Sequence, residues 1–254
     1  MARIGIFDSG VGGLSVLREI RKILPGEDCI YYADTANCPY GEKTREFIIS
    51  RSEAITQLLL DRGADIIVVA CNTATAAAIA TLRARFPVRF VGIEPAVKPA
   101  ALSSRTGAIG VLATASTLSS AKYLKMKEIY GDKVKIAEGV GQGFVELVET
   151  GELTGPRAEA VVRASLEPLL AAGADRIALG CTHYPFLKPT LEKVAAELAA
   201  SPDIRVIDPA VAVARRLAFV LAEEGIPLLD GDAGVTELLA SGPDTVLKQL
   251  YKTL

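Results

Sequence analysis

The sequence predicts an α/β fold made of two related domains, each a mostly parallel sheet flanked by helices. Three observations predict it. Short β-branched or apolar runs alternate with longer amphipathic stretches, the pattern of parallel strands joined by covering helices. The stretch IGIFDS at residues 4–9 returns as IGVLAT at 109–114, an offset of 105. GADIIVVACNTAT at 63–75 returns as GADRIALGCTHYP at 173–185, an offset of 110. Gly ends a helix and Asp opens a turn, so a repeated Gly-Ala-Asp is weak by itself. Two near-equal offsets carry more, and they put the start of the second half near residue 96.

The elements follow in order. A first strand is predicted at 3–7, where RIGIF is apolar up to Asp8. The glycine loop DSGVGGLS comes next and opens a helix over 13–24. CIYYA gives a strand at 29–33, and the amphipathic 44–62 a long helix. Strand 65–70 ends at Cys71 and leads into helix 74–85, with a further strand at 89–93. In the second half, strand 108–113 and helix 116–130 precede strand 133–137 and helix 155–172. Strand 176–179 ends just before Cys181, and helix 185–200, strand 204–207 and helix 209–224 complete the prediction.

Bulk composition narrows the function classes. A chain of 254 residues that is 50% hydrophobic and 23% charged is globular and long enough to bury a core. Lys plus Arg (28) nearly balances Asp plus Glu (30), so nothing points to nucleic acid or an anionic membrane as partner. The N-terminus MARIGIFDSG is not a signal peptide, and the longest uncharged run, 66–82, is too short and polar to span a bilayer. Four cysteines at 29, 38, 71 and 181 contain no C-x-x-C pair, which predicts free thiols and a cytoplasmic protein. One histidine without clustered ligand spacing argues against a metal site.

In open α/β sheets, ligands bind beyond the carboxyl ends of the strands. Those ends hold Asp8-Ser9, Asp34-Thr35, Cys71-Asn72-Thr73, Glu94, Thr114 and Cys181-Thr182-His183. Cys29 lies inside a strand and reads as a small core hydrophobe; Cys38 reads as incidental. Cys71 and Cys181 differ, because each follows a strand and precedes a predicted helix, where unpaired N–H groups favour a thiolate. DSGVGGLS lacks the P-loop Lys and the dinucleotide spacing, so its backbone and Ser9 are expected to hold a small anion. Two equivalent thiols in related halves would line one cleft. They suit inversion of a stereocentre, one removing a proton from one face while the other supplies one to the opposite face. No cofactor is required by the sequence. A Cys181–His183 hydrolase would leave Cys71 without a role.

The combination DSGVGGLSVL, ADTANCPYGEK, VVACNTATA, VGIEPAVK and LGCTHYPFL, in order from residue 8 to residue 187, resembles the glutamate racemase family. The resemblance implies a cofactor-independent isomerase that interconverts L- and D-glutamate for peptidoglycan synthesis, commonly as a homodimer. It implies an active site between two domains, 1–95 with 210–254 and 96–209, the C-terminal segment returning to the first. Cys71 and Cys181 would be the acid/base pair, Cys71 acting on D-glutamate with Asp8 assisting, and Cys181 on L-glutamate with His183 assisting. Substrate would be held by Asp8, Ser9, Tyr40, Gly41, Asn72, Thr73, Thr182 and His183. The assisting glutamate falls at Glu149 in FVELVETG, with Glu152 the other candidate; Glu146 stands where relatives commonly have proline. TANCPYG likewise departs from the usual residues before PYG, leaving Cys38 without a family role. An aspartate or other amino-acid racemase, or a non-catalytic anion- or nucleotide-binding α/β protein, are the alternative readings.

Overall fold

The computed structural model describes residues 2–198, 203–226 and 233–254. Two compact units make up the chain, Met1–Ile93 with Ala210–Leu254, and Glu94–Pro209. The first opens with β1 (Arg3–Asp8), α1 (Leu14–Ile23), β2 (Asp28–Ala33), α2 (Arg45–Asp61), β3 (Ile66–Val69), α3 (Asn72–Arg85) and β4 (Arg89–Gly92). The second holds α4 (Val97–Ser103), β5 (Ala108–Ala113), α5 (Ala115–Leu118), α6 (Ala121–Gly131) and β6 (Lys135–Val140). It continues through α7 (Phe144–Glu149), α8 (Pro156–Ala171), β7 (Arg176–Gly180), α9 (Lys188–Leu198) and β8 (Arg205–Ile207). The chain then re-enters the first unit with α10 (Ala210–Glu223), β9 (Thr236–Ala240) and α11 (Thr245–Tyr251).

Each unit has one parallel sheet. The first is ordered β4-β3-β1-β2-β9 and the second β6-β5-β7-β8. The central strands are apolar throughout because helices cover both faces. All four residues of β3, IIVV, are buried, and each such side chain stabilises the fold by about 1.5–3 kcal/mol. On α2 the buried residues Ile48, Ser52, Ile55, Thr56 and Leu59 recur at helical spacing and turn one face inward. Thr44 starts that helix by accepting a hydrogen bond from the Phe47 amide at 3.2 Å.

Registers settle the internal repeat. Ile4 pairs with Ile66 in the first sheet, and Ile109 pairs with Arg176 in the second. Those are the two sequence offsets, 105 for the first partner and 110 for the second. The same translation carries a packing constraint. A Cβ on Gly5 would lie 2.8 Å from Ile67 Cδ1, and one on Gly110 would lie 2.8 Å from Ile177 Cδ1. Gly-Ala-Asp has one job in both copies. Gly63 (φ +81°) and Gly173 (φ +92°) adopt the left-handed conformation that ends a helix. The aspartates then fasten neighbouring backbone: Asp65 accepts from the Arg3 amide at the start of β1 at 2.8 Å, and Asp175 from the Arg105 amide in the bend before β5 at 2.7 Å.

Several predicted elements change on inspection. Helix 116–130 is two helices, because Ser120 accepts from the Tyr123 amide at 3.3 Å and caps a fresh start. Helix 185–200 begins with a 3-10 turn over Tyr184–Leu187 before α9 starts at Lys188; its residues 199–200 lie outside the described ones. Strand 133–137 is displaced to Lys135–Val140. The prediction omitted β9, α4, α7 and α11. No helix among the described residues is long and apolar enough to cross a membrane.

Candidate active site

In the first unit, β1 delivers Asp8 fully buried to the carboxyl edge of the sheet. Asp8 Oδ2 accepts from the Gly13 amide at 2.7 Å and closes the glycine loop on itself. A Cβ on Gly13 would lie 2.8 Å from Asp8 Cβ and 2.9 Å from Tyr31 Oη, so only glycine fits. The Leu14 and Ser15 amides donate to the Val11 and Gly12 carbonyls at 3.1 and 3.0 Å. These bonds brace the start of α1 from within. The amides from Gly13 to Ser15 already have internal partners.

Cys71 lies beyond the end of β3 and is the N-cap of α3. Its Sγ accepts from the Ala74 amide at 3.4 Å, a bond that grows stronger as the sulfur gains negative charge. The thiol also lies 3.8 Å from Ser9 Oγ, to which it donates. Asn72 follows with its side chain buried, and neither Oδ1 nor Nδ2 has a hydrogen-bond partner. A buried primary amide without partners is costly, and a polar ligand would complete it. Thr73 is buried beside it. Thr75 has a structural task instead, donating to the Val69 carbonyl at 3.1 Å and accepting from the Ile93 amide at 3.3 Å.

Tyr40 and Gly41 lie in a 3-10 turn, Tyr40–Glu42. Tyr40 is buried in the same apolar cluster as Cys71 and donates its hydroxyl to Asp34 Oδ2 at 2.6 Å. Burial and the Asp34 carboxylate push the Tyr40 phenol far above its ordinary value, so it stays protonated. Cys38 is half-buried in the segment before it. Cys29 is a core thiol pushed up to about 11 by burial, and so is almost wholly un-ionised at neutral pH.

In the second unit, Cys181 directly follows β7. A Cβ on Gly180 would lie 2.7 Å from Ala113 Cβ, so this approach to the neighbouring strand demands glycine. Cys181 Sγ lies 3.8 Å from His183 Nδ1, and His183 Nε2 lies 2.6 Å from Glu149 Oε1. Both Cys181 and His183 are buried. The Glu149 carboxylate selects the imidazole tautomer that carries its proton on Nε2, leaving Nδ1 to accept from the Cys181 thiol. Glu149 reaches this position as the last residue of α7, whose Phe144 packs edge-on against Tyr184 at 4.8 Å. Gly151 (φ +75°) then ends the helix, and Glu152 turns away to pair with Arg157.

The two thiols therefore differ in their support. Cys71 caps a helix as expected, whereas Cys181 is followed by Thr182, His183 and a 3-10 turn. Help from a helix N-terminus is available to Cys71, and the His183–Glu149 pair takes its place at Cys181. Thr182 is buried next to the thiol without a helix N-terminus behind it. Of the other strand-end groups, Glu94 pairs with Lys122 at 2.9 Å and Thr114 caps α5. Sequence reasoning missed Arg51, whose guanidinium grips Asp34 with Nε at 3.0 Å and Nη2 at 2.7 Å. Nothing in its helical setting marks it, since its partner is seventeen residues away in sequence.

Known proteins resemble this chain over its full length. The profile of the Asp/Glu/hydantoin racemase family matches residues 4–217. A glutamate racemase from Pseudomonas aeruginosa is 49% identical over 255 residues, covering 100% of this chain and 94% of the relative. Among solved structures, a glutamate racemase isoform from Bacillus anthracis superposes with a TM-score of 0.86 at 31% identity, covering 99% of this chain and 93% of that one. The Escherichia coli glutamate racemase, solved with L-glutamate and the activator UDP-MurNAc-ala, gives 0.83 at 32% identity, covering 98% and 95%. With parallel sheets, buried strand-end thiols and full-length likeness in agreement, the chain belongs to the Asp/Glu/hydantoin racemase family, among its glutamate racemases.

Proposed function

We propose that this protein interconverts L- and D-glutamate by a two-base mechanism in which Cys71 and Cys181 are the acid/base residues. The observation that carries the proposal is that both strand-end thiols have partners able to stabilise a thiolate, the Ala74 amide at Cys71 and His183 at Cys181, while burial holds Cys29 as the thiol. On L-glutamate, the Cys181 thiolate takes the α-proton, and the Cys71 thiol gives its own proton to the opposite face. Cys181 ends as thiol and Cys71 as thiolate, which is the state needed to run the reaction from D-glutamate. His183, held by Glu149, accepts the Cys181 proton when the thiolate must be regenerated. At Cys71 the proton would go to the neighbouring Asp8-Ser9 pair, and the Ala74 amide stabilises the thiolate by donating to Sγ. Two thiols account for both proton transfers, so the reading needs neither cofactor nor metal.

The substrate carboxylates and ammonium would be held by Asp8, Ser9, Tyr40, Gly41, Asn72, Thr73, Thr182 and His183. Asn72 has the clearest case, because its buried amide has neither donor nor acceptor satisfied. Asn72→Ala is expected to raise KM for both enantiomers by about tenfold or more with little loss of thermal stability. An unchanged KM would make Asn72 a filler of the helix start and nothing else. Likeness to the glutamate racemases, together with free cysteines, supports a cytoplasmic homodimer, its two domains being 1–95 with 210–254 and 96–209, that supplies D-glutamate for peptidoglycan.

Polarimetric or coupled assay of the L- and D-forms of glutamate and aspartate, without added cofactor, tests the proposal. L- and D-glutamate are expected to interconvert, with aspartate disfavoured by about 10–200-fold, since one methylene of pocket length is worth about 1–3 kcal/mol. Comparable rates on aspartate would move the protein to the broader amino-acid racemases. No turnover of either would leave a binding protein.

A further inference from the structure

We propose that Arg51 is a positioning residue that sets Tyr40 against the Cys71 thiol, acting through Asp34. The chain of contacts is short and buried. Asp34 is fully buried, and its carboxylate receives hydrogen bonds from the side chains of Arg51, Tyr40, Asn37 and Ser241. Oδ2 accepts from Tyr40 Oη at 2.6 Å and Arg51 Nε at 3.0 Å. Oδ1 accepts from Arg51 Nη2 at 2.7 Å and Asn37 Nδ2 at 3.0 Å. The Asp34 amide donates to the Asp8 carbonyl at 3.0 Å, which ties the same residue to the end of β1.

Charge balance makes Arg51 the keystone. Burial alone would raise the Asp34 carboxyl; the bonds from Arg51, Tyr40, Asn37 and Ser241 outweigh it and hold the carboxyl below its ordinary value. Of those donors only Arg51 carries a charge. Its planar fork fixes both oxygens at once, which orients the lone pair that receives Tyr40. Without Arg51 the carboxyl is buried and uncompensated. It takes up a proton or draws in water, and Tyr40 loses its fixed acceptor. Tyr40 packs in one cluster with Cys71, a residue only 5% exposed, so its displacement would uncover the thiol.

The kinetic part of this inference rests on the racemase reading; the structural part does not. The test therefore reads both. Iodoacetamide labelling of the native protein, followed by peptide mass spectrometry, measures Cys71 and Cys181 separately. Arg51→Gln is expected to speed Cys71 labelling by about tenfold and leave Cys181 unchanged, the order of effect of losing one partner of a buried group. In the glutamate assay, KM rises by about tenfold while kcat changes by less than about threefold. Tyr40→Phe should raise KM as well, and the Arg51→Gln/Tyr40→Phe double variant should be no worse than the poorer single variant, since both break one chain. Arg51→Lys keeps the charge but not the fork. It should fall between Gln and the native residue, and it carries the test if Arg51→Gln does not fold.

Unchanged Cys71 labelling, or KM effects of Arg51→Gln and Tyr40→Phe that multiply, would overturn the proposal. Equal acceleration at both thiols would reduce Arg51 to general stability and overturn it too. If the native protein fails to racemise glutamate but selective Cys71 labelling is seen, the positioning role stands and the activity reading fails.

Discussion

Cys71→Ala and Cys181→Ala are each expected to lower net racemisation by about 10²–10⁴-fold in both directions. In the proposed mechanism each thiol is one half of a proton relay, so neither could be spared in either direction. When one is lost, the other can still approach the face of its own enantiomer, but the planar intermediate finds no proton donor on the opposite side. The fold should tolerate both changes, since alanine removes a single buried sulfur in each case. At Cys71 the cap on the Ala74 amide is lost too, a cost of about 0.5–2 kcal/mol. Calorimetry alongside the kinetics checks this. A single variant that keeps more than about a tenth of native turnover, while melting normally, would show that one base suffices.

Reaction in D₂O should give an equally large and more diagnostic effect. A thiol exchanges its hydrogen with solvent, so the protonated partner carries deuterium when substrate arrives. In the proposed mechanism L-glutamate would lose its α-proton to Cys181, and the opposite face would be filled from Cys71. Early D-glutamate is therefore expected to be almost fully deuterated at the α-carbon, while the remaining L-glutamate stays protiated. The reverse run should mirror this. Proton NMR of the α-position at low conversion provides the measurement. With a single base, the group that removed the proton also returns it, and deuterium enters the starting enantiomer. Its early appearance there would eliminate the paired mechanism.

Much of the fold was legible because the central strands are buried on both faces. IIVV in β3 and AIGVLA in β5 have no polar position to blur them, and the repeat showed itself in these strands first. The sheet edges were harder. In β9, TELLA is half-buried at every position, and its Glu237 pairs with Arg3, so no apolar contrast marks it as a strand. KIAEGV in β6 is a half-exposed edge strand, which is why its limits were displaced. α4 begins just after Pro95 and contains Pro99 in its first turn, where proline is tolerated but reads as a breaker.

The candidate site divides along the same line. Strand-end residues such as Asp8, Cys71 and Cys181 can be read from position alone. Glu149 could be placed only by resemblance to relatives, because a six-residue helix flanked by Glu152 gives no sign of which carboxylate turns toward His183. Arg51 could not be found at all. Its significance depends on the buried Asp34, and no local pattern states that two residues on different elements share a carboxylate.

The unequal support of the two thiols, a helix cap at Cys71 and a His–Glu pair at Cys181, meets a thermodynamic limit. Enantiomers have the same free energy in water, so their equilibrium constant is unity at every pH. The Haldane relation then forces kcat/KM to be equal for the two directions, whatever holds each sulfur. Asymmetry can enter only as matched changes in kcat and KM. Any difference in how the two thiols are held would therefore change kcat and KM of one direction by the same factor. The two halves were thus free to diverge in sequence, as Asn72 and Thr182 beside the two cysteines show, without ever biasing the product.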